Sequence, residues 1–173
     1  MREIRFRAKT IKGGQWIEGD LFRAGTEPSD GEFAISYWDE DDGWMNENVR
    51  PDTIGEYVGL KDKNGTDIYE GDIMRIQTFD NLSFKSPIEE GKQMRELFTL
   101  EDLKGAQEAE SVSAVQHEEG LFMVSLDWEN DTYLSCLFGD MKKSNPIFEF
   151  EVIGNIHDNP DIEPKYDDRF KNR

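Results

Sequence analysis

Residues 57–76 read YVGLKDKNGTDIYEGDIMRI, and the chemistry of their turns makes the chain a β protein. A two-residue Asn64-Gly65 loop would set Asp62 opposite Asp67, and like charges facing each other across a ladder repel. A three-residue loop does better. With Asp62 opening a type I turn and Gly65 left-handed in a G1 bulge, Lys61 faces Asp67 and Leu60 faces Ile68, so charge and apolar pairing are satisfied together. Glu70-Gly71-Asp72 then turns the chain into a further strand, IMRI, because glycine accepts the positive φ of a tight turn and aspartate can bond the following backbone.

Working outward, residues 3–8 alternate, with Ile4, Phe6 and Ala8 on one face and Glu3, Arg5 and Arg7 on the other, the pattern of a half-buried strand. Gly13-Gly14 marks a turn, QWIEGDLF reads as a second strand bent or bulged at Gly19, and residues 33–38 form a third. Residues 39–52 are polar and rich in turn formers and read as a long loop. Between 78 and 115 the alternation stops, and Pro87, Gly91 and Gly105 interrupt a charged stretch that reads as an insertion. Thr99 with Asp102 resembles a capping box, which places a short helix over about 100–110. Strands return in LFMVSLDW, with Phe122, Val124, Leu126 and Trp128 on one face, in YLSCLF, and in IFEFEVIG, where Phe148, Phe150 and Val152 oppose Glu149 and Glu151. That one-sided pattern is typical of antiparallel sheets. Asn159-Pro160 turns the chain, leaving a frayed tail. The expected organisation is one β-rich domain over 1–157 with an insertion at about 78–115, followed by a C-terminal turn and tail over 158–173.

The composition narrows the functional classes. Hydrophobic residues at 36% beside charged residues at 34% suit a folded protein with a heavily solvated surface better than a disordered one. No apolar run approaches a membrane span and the N-terminus is unlike a signal peptide, so the expected location is the cytosol. The single Cys136 cannot form an internal disulfide, and no clustered Cys/His spacing offers a zinc site. With 38 acids against 20 bases the net charge is −18, which repels phosphate backbones and makes nucleic acid an unfavoured partner. Such a charge either serves solubility alone or points to a basic partner.

Three segments resemble the YopX family of phage and prophage proteins: MREIRFRA at the start, YVGLKDKNGTDIYEGDI in the middle and FEVIGNIHDNP near the end. The middle segment is the most specific, since it joins one hairpin loop to a Gly-Asp turn. The resemblance implies a β-rich fold containing a small SH3-like barrel, encoded by phages or prophages of Gram-positive bacteria, in a family without an established biochemical activity. It carries no catalytic residues. The matching positions, Gly59, Asp62, Asn64, Gly65, Tyr69, Gly71, Asp72, Gly154, Asn155 and Pro160, are of turn and packing type, and His157 stands where Tyr is more usual. The fold class is therefore mainly β, an antiparallel sheet with a small SH3-like barrel plus an irregular, short-helix insertion.

One stretch departs from the ordinary. Residues 24–49 hold eight acids and no Lys or Arg, with Tyr37, Trp38 and Trp44 interleaved among Asp39, Glu40, Asp41 and Asp42. An EF-hand register starting at Asp39 puts Gly43 at a ligand position and Arg50 where the bidentate Glu belongs, which leaves at most a weak divalent-ion loop at Asp39, Asp41 and Asp42. A second reading is an interaction surface in which aromatic anchors are framed by carboxylates that select a basic host or phage protein. The third buries the aromatics in the core and leaves the acids in water. Catalysis has little support. Only His117 and His157 could act as near-neutral bases, neither in a nucleophile motif, and no Gly-rich phosphate loop is present, so neither an enzyme nor a cofactor is expected. The competing roles are nucleic-acid binding through the barrel, for which Arg2, Arg5 and Arg7 are the compact basic candidate, and acidic mimicry of DNA against a basic host enzyme. Open sheet edges also allow self-association.

Overall fold

The structure, a computed structural model, describes residues 3–25, 33–79, 108–118, 121–125, 131–133 and 149–165. Among the described residues the regular elements are twelve β-strands and one 3-10 turn, so the chain is mainly β and antiparallel, as its sequence predicts. The chain divides into two compact units, one of Met1–Leu60 with Asp67–Glu70, the other of Lys61–Thr66 with Gly71–Arg173.

The first unit holds β1 (Phe6–Lys9), β2 (Trp16–Arg23), β3 (Phe33–Asp39), β4 (Gly43–Val49), a 3-10 turn at Pro51–Thr53, β5 (Gly55–Lys61) and β6 (Asp67–Tyr69). They form one sheet in the order β4-β3-β2-β1-β5-β6. Ala8, Ile35 and Val49 are fully buried at its centre, with Phe6, Ile17, Leu21, Phe33, Tyr37 and Ile54 packed around them. All of these side chains save Ile54, which follows the 3-10 turn, sit on the inward parity of their strands, and burying one the size of Ile35 contributes about 2–3 kcal/mol. β2 pairs with β1 as far as Gly19 and with β3 from Asp20 onward, so the bend expected at Gly19 falls where the strand changes partner. The stretch read as a long loop is instead the strand β4, in regular register with β3 from Phe33↔Val49 to Asp39↔Gly43. Its last residues turn back toward β1: Thr10 bridges Val49, Ile11 N–H donates to Asn48 O (3.0 Å) and Arg50 N–H donates to Lys9 O (2.8 Å). Pro51 opens the 3-10 turn, where its missing N–H costs nothing, and Thr53 Oγ1 accepts from Lys9 N–H at 2.9 Å while donating to Arg50 O at 2.8 Å.

The second unit contains the tip of the β5–β6 hairpin, Lys61–Thr66. Gly65 N–H donates to Asp62 O (3.0 Å), Asp62 N–H donates to Thr66 O (2.9 Å) and Gly65 has φ +84°. This is the three-residue bulged loop that charge pairing favours. Asp62, 7% exposed, explains why the loop begins with an acid. Its Oδ1 accepts from Asn64 N–H and Thr66 N–H, both at 2.8 Å, and its Oδ2 accepts from Val152 N–H at 3.0 Å, while Lys63 N–H donates to Phe150 O at 2.9 Å. One carboxylate thus closes its own turn and ties it to the last strand. Burial alone would raise its pKa, but the three backbone donors outweigh burial and hold it below the ordinary aspartate value.

β7 (Asp72–Phe79) lies between β8 (Glu108–Ala114) and β12 (Glu149–Asn155) in a three-stranded sheet, and its Ile73, Met74 and Ile76 are buried. β9 (Gln116–Glu118), β10 (Leu121–Ser125) and β11 (Asp131–Tyr133) form a second sheet in the order β11-β10-β9. Two expectations are corrected here. The alternation does not end at 78, and residues 108–110 are strand rather than the end of a helix, because β8 pairs with β7 from Ile73↔Ala114 to Phe79↔Glu108. Lys165, expected in a frayed tail, exchanges both hydrogen bonds with Val112 at 2.6 and 2.9 Å. Gly71, φ +81°, donates its N–H to Val115 O (3.0 Å) and accepts from Ile156 N–H (2.9 Å), so the Gly-Asp turn is bonded directly to the GNIHDNP segment. The remainder of the expected helix, the strand positions Leu126, Trp128 and Phe148, and Cys136 lie outside the described residues.

Candidate protein-binding surface

The residues singled out around position 40 lie at one end of the β3–β4 hairpin. Strand parity separates them. Phe33, Ile35 and Tyr37 point inward, so Ala34, Ser36 and Trp38 point to the opposite face. Tyr37 is half-buried against the core and donates its hydroxyl to Glu47 Oε1 at 3.0 Å. That bond raises the phenol pKa first, with burial and the carboxylates of Glu47, Asp39 and Asp42 adding to it. Glu47 was not among the predicted site residues; its inward parity two places before Val49 was the available signal.

Trp38 and Trp44 are cross-strand partners. Their rings meet edge to face, with centroids 5.7 Å apart and planes at 81°. They are 62% and 66% exposed, so the reading that buries all three aromatics fails for both indoles. An edge-to-face pair is worth about 1 kcal/mol, which steadies the hairpin end while leaving indole surface open to solvent. Between them the chain reverses through Glu40, Asp41 and Asp42, and Gly43 takes φ +79°. Asp39 Oδ1 accepts from Asp41 N–H (2.9 Å) and Asp42 N–H (3.0 Å), so this carboxylate builds the turn. Glu40, Asp41 and Asp42 are exposed. No group of three or more metal-ligating side chains capable of holding an ion occurs among the described residues.

The basic candidate is organised differently. Arg5 donates to Asp67 Oδ2 at 2.6 Å, lies 3.5 Å from Glu18 and stacks over Tyr57 at 4.7 Å. Arg7 lies between the rings of Trp16 (4.9 Å) and Tyr69 (4.6 Å). Tyr69, fully buried, donates to Glu18 Oε2 at 2.8 Å; burial first, then that bond, pushes its phenol far up. Arg5 is therefore engaged by carboxylates and a ring inside the unit and Arg7 by two rings, and Arg2 lies outside the described residues. His117 is exposed and stacks on Phe122 with centroids 4.5 Å apart. His157 N–H donates to Asn155 Oδ1 at 2.9 Å, within a turn. No helix among the described residues is long and apolar enough to cross a membrane.

No curated protein matches the chain. Among solved structures it is similar to the crystal structure of protein EF1440 from Enterococcus faecalis, at 19% identity over 92% of this chain and 97% of that one, with a TM-score of 0.43. The model of the YopX protein family matches residues 5–162, the span that includes all three resembling segments save the first four residues. The chain belongs to the YopX family.

Proposed function

We propose that the protein is a non-enzymatic binding module that engages a basic protein through the β3–β4 hairpin end. The observation that carries this reading is the exposure of Trp38 and Trp44, at 62% and 66%, beside Asp39, Glu40, Asp41 and Asp42 in a stretch without Lys or Arg. Indole faces attract ammonium and guanidinium groups, and carboxylates around them add long-range selection for a cationic surface. The resemblance supports placing this module among phage or prophage accessory proteins acting in the bacterial cytosol. It also supports a small SH3-like barrel, with which the return of β4 to β1 at Thr10 and Val49 agrees.

Capture from bacterial lysate on immobilised protein tests the reading. Wild type is expected to retain basic proteins at low salt, and Trp38→Ala/Trp44→Ala and an Asp39–Asp42→Asn variant are each expected to lower that retention at least tenfold. Retention unchanged in both variants would refute the assignment. Acidic mimicry of DNA, which the charge of −18 favours, gives a different pattern: the Asn variant loses inhibition of a basic host enzyme and the Trp variant keeps it.

A further inference from the structure

On the strength of that binding reading, we infer that a Lys/Arg-bearing segment of the basic partner docks as an added strand along the outer edge of β4. β4 is the outermost strand of the six-stranded sheet. Among the described residues its outer edge is used only near its end, where Asn48 O accepts from Ile11 N–H and Arg50 N–H donates to Lys9 O. In a strand the backbone groups of successive residues point to opposite sides, so the even-numbered residues of β4 aim outward and the odd-numbered ones toward β3. Ahead of the Thr10–Val49 bridge, the N–H and C=O of Trp44 and Asn46 therefore meet no strand among the described residues.

Sheets usually blunt such an edge with Lys, Pro, a bulge or an inward-pointing charge. β4 lacks the first three, and its one inward charge is engaged by a hydrogen bond. Its sequence, GWMNENV, has no Lys or Pro, its register with β3 is unbroken, and its one charge, Glu47, is held by the Tyr37 hydroxyl. The open stretch Gly43 to Glu47 admits a strand of five residues, about 17 Å long. Alternate side chains of the incoming strand would lie on the face of Trp38 and Trp44, within reach of the exposed turn acids. Lys or Arg at those positions gains both ring and carboxylate contacts. A second copy of the chain is disfavoured as the occupant, since it brings the same acidic turn and another −18 charges.

The test uses the full chain with a seven-residue probe, KVKTKVK, and two versions of it N-methylated at alternate amides in either phase. NMR follows the indole N–H signals and the exchange rates of the Trp44 and Asn46 backbone amides. The unmethylated probe is expected to shift both indoles and slow exchange at Trp44 and Asn46 at least tenfold, and one of the methylated versions is expected to bind at least tenfold more weakly. Asn46→Pro, which deletes an outward N–H where an edge strand tolerates proline, is expected to weaken the probe by a similar factor. Indole shifts with equal affinity for all three peptides would overturn strand addition and leave the binding reading standing. No indole shift at low salt would remove both. Protection of Trp44 and Asn46 that grows with protein concentration, without peptide, would assign the edge to a second copy and overturn the proposal.

Discussion

Asp62→Ala is expected to lower the unfolding free energy by about 4 kcal/mol, measured by denaturant titration, since hydrogen bonds to a charged acceptor contribute about 1.5–3 kcal/mol each and the three here act as a group. The substitution leaves Asn64, Thr66 and Val152 N–H without the oxygens that accept from them. Asp62→Asn, which keeps one acceptor oxygen and turns an amide toward the other donors, is expected to lose about half as much. The carboxyl also sets a pH limb. Its folded pKa lies below the ordinary 3.8, because the backbone donors outweigh the upward push of burial. As pH falls the unfolded chain takes up the proton first. The contribution is therefore fully present above the unfolded value and disappears as pH drops through the lower folded value, and Asp62→Asn removes that limb. A loss under about 1 kcal/mol for Asp62→Ala would show that the carboxylate does not hold the loop.

Gly19→Ala is expected to cost about 3 kcal/mol, read as a lowered thermal midpoint. A Cβ at this position would collide with the carbonyl oxygen of Ser36 and stand 3.0 Å from Ile35 Cγ2. Neither neighbour can swing away, since Ser36 O is backbone in the β3 ladder and Ile35 is fully buried. The strand must open there, at the point where β2 passes from β1 to β3. An unchanged midpoint would mean that the close approach of β2 and β3 relaxes without cost.

The parts legible in the sequence are those whose cause is local. Asp62, Gly65 and Gly71 follow from turn geometry and charge pairing over a few residues, β1 follows from short-range alternation, and β7 follows from the Gly-Asp turn that leads into it. β4 was missed because Met45 and Val49 are its only inward apolar side chains, and an edge strand whose outward residues are Asn and Trp carries the composition of a loop. β8 was missed for another reason: Glu and Ala favour helix, and only pairing with β7 decides otherwise, with Ser111 and Ser113 buried where their small size fits. The aromatic cluster was legible as a set of residues but not as a surface. Parity from Ile35 and Tyr37 already sends Trp38 to the other face, yet whether that face is covered depends on neighbours distant in sequence.

The ladder between β7 and β8 changes what the long segment between them means for the molecule. Phe79 and Glu108 are register partners, so the β7–β8 ladder brings the two ends of the intervening segment to one rung. Closure entropy grows only logarithmically, about 0.6 kcal/mol for each doubling of length. Sequence can therefore be gained or lost at this rung almost without thermodynamic penalty, which makes it the place where a YopX chain can take on a new appendage while its sheets stay as they are.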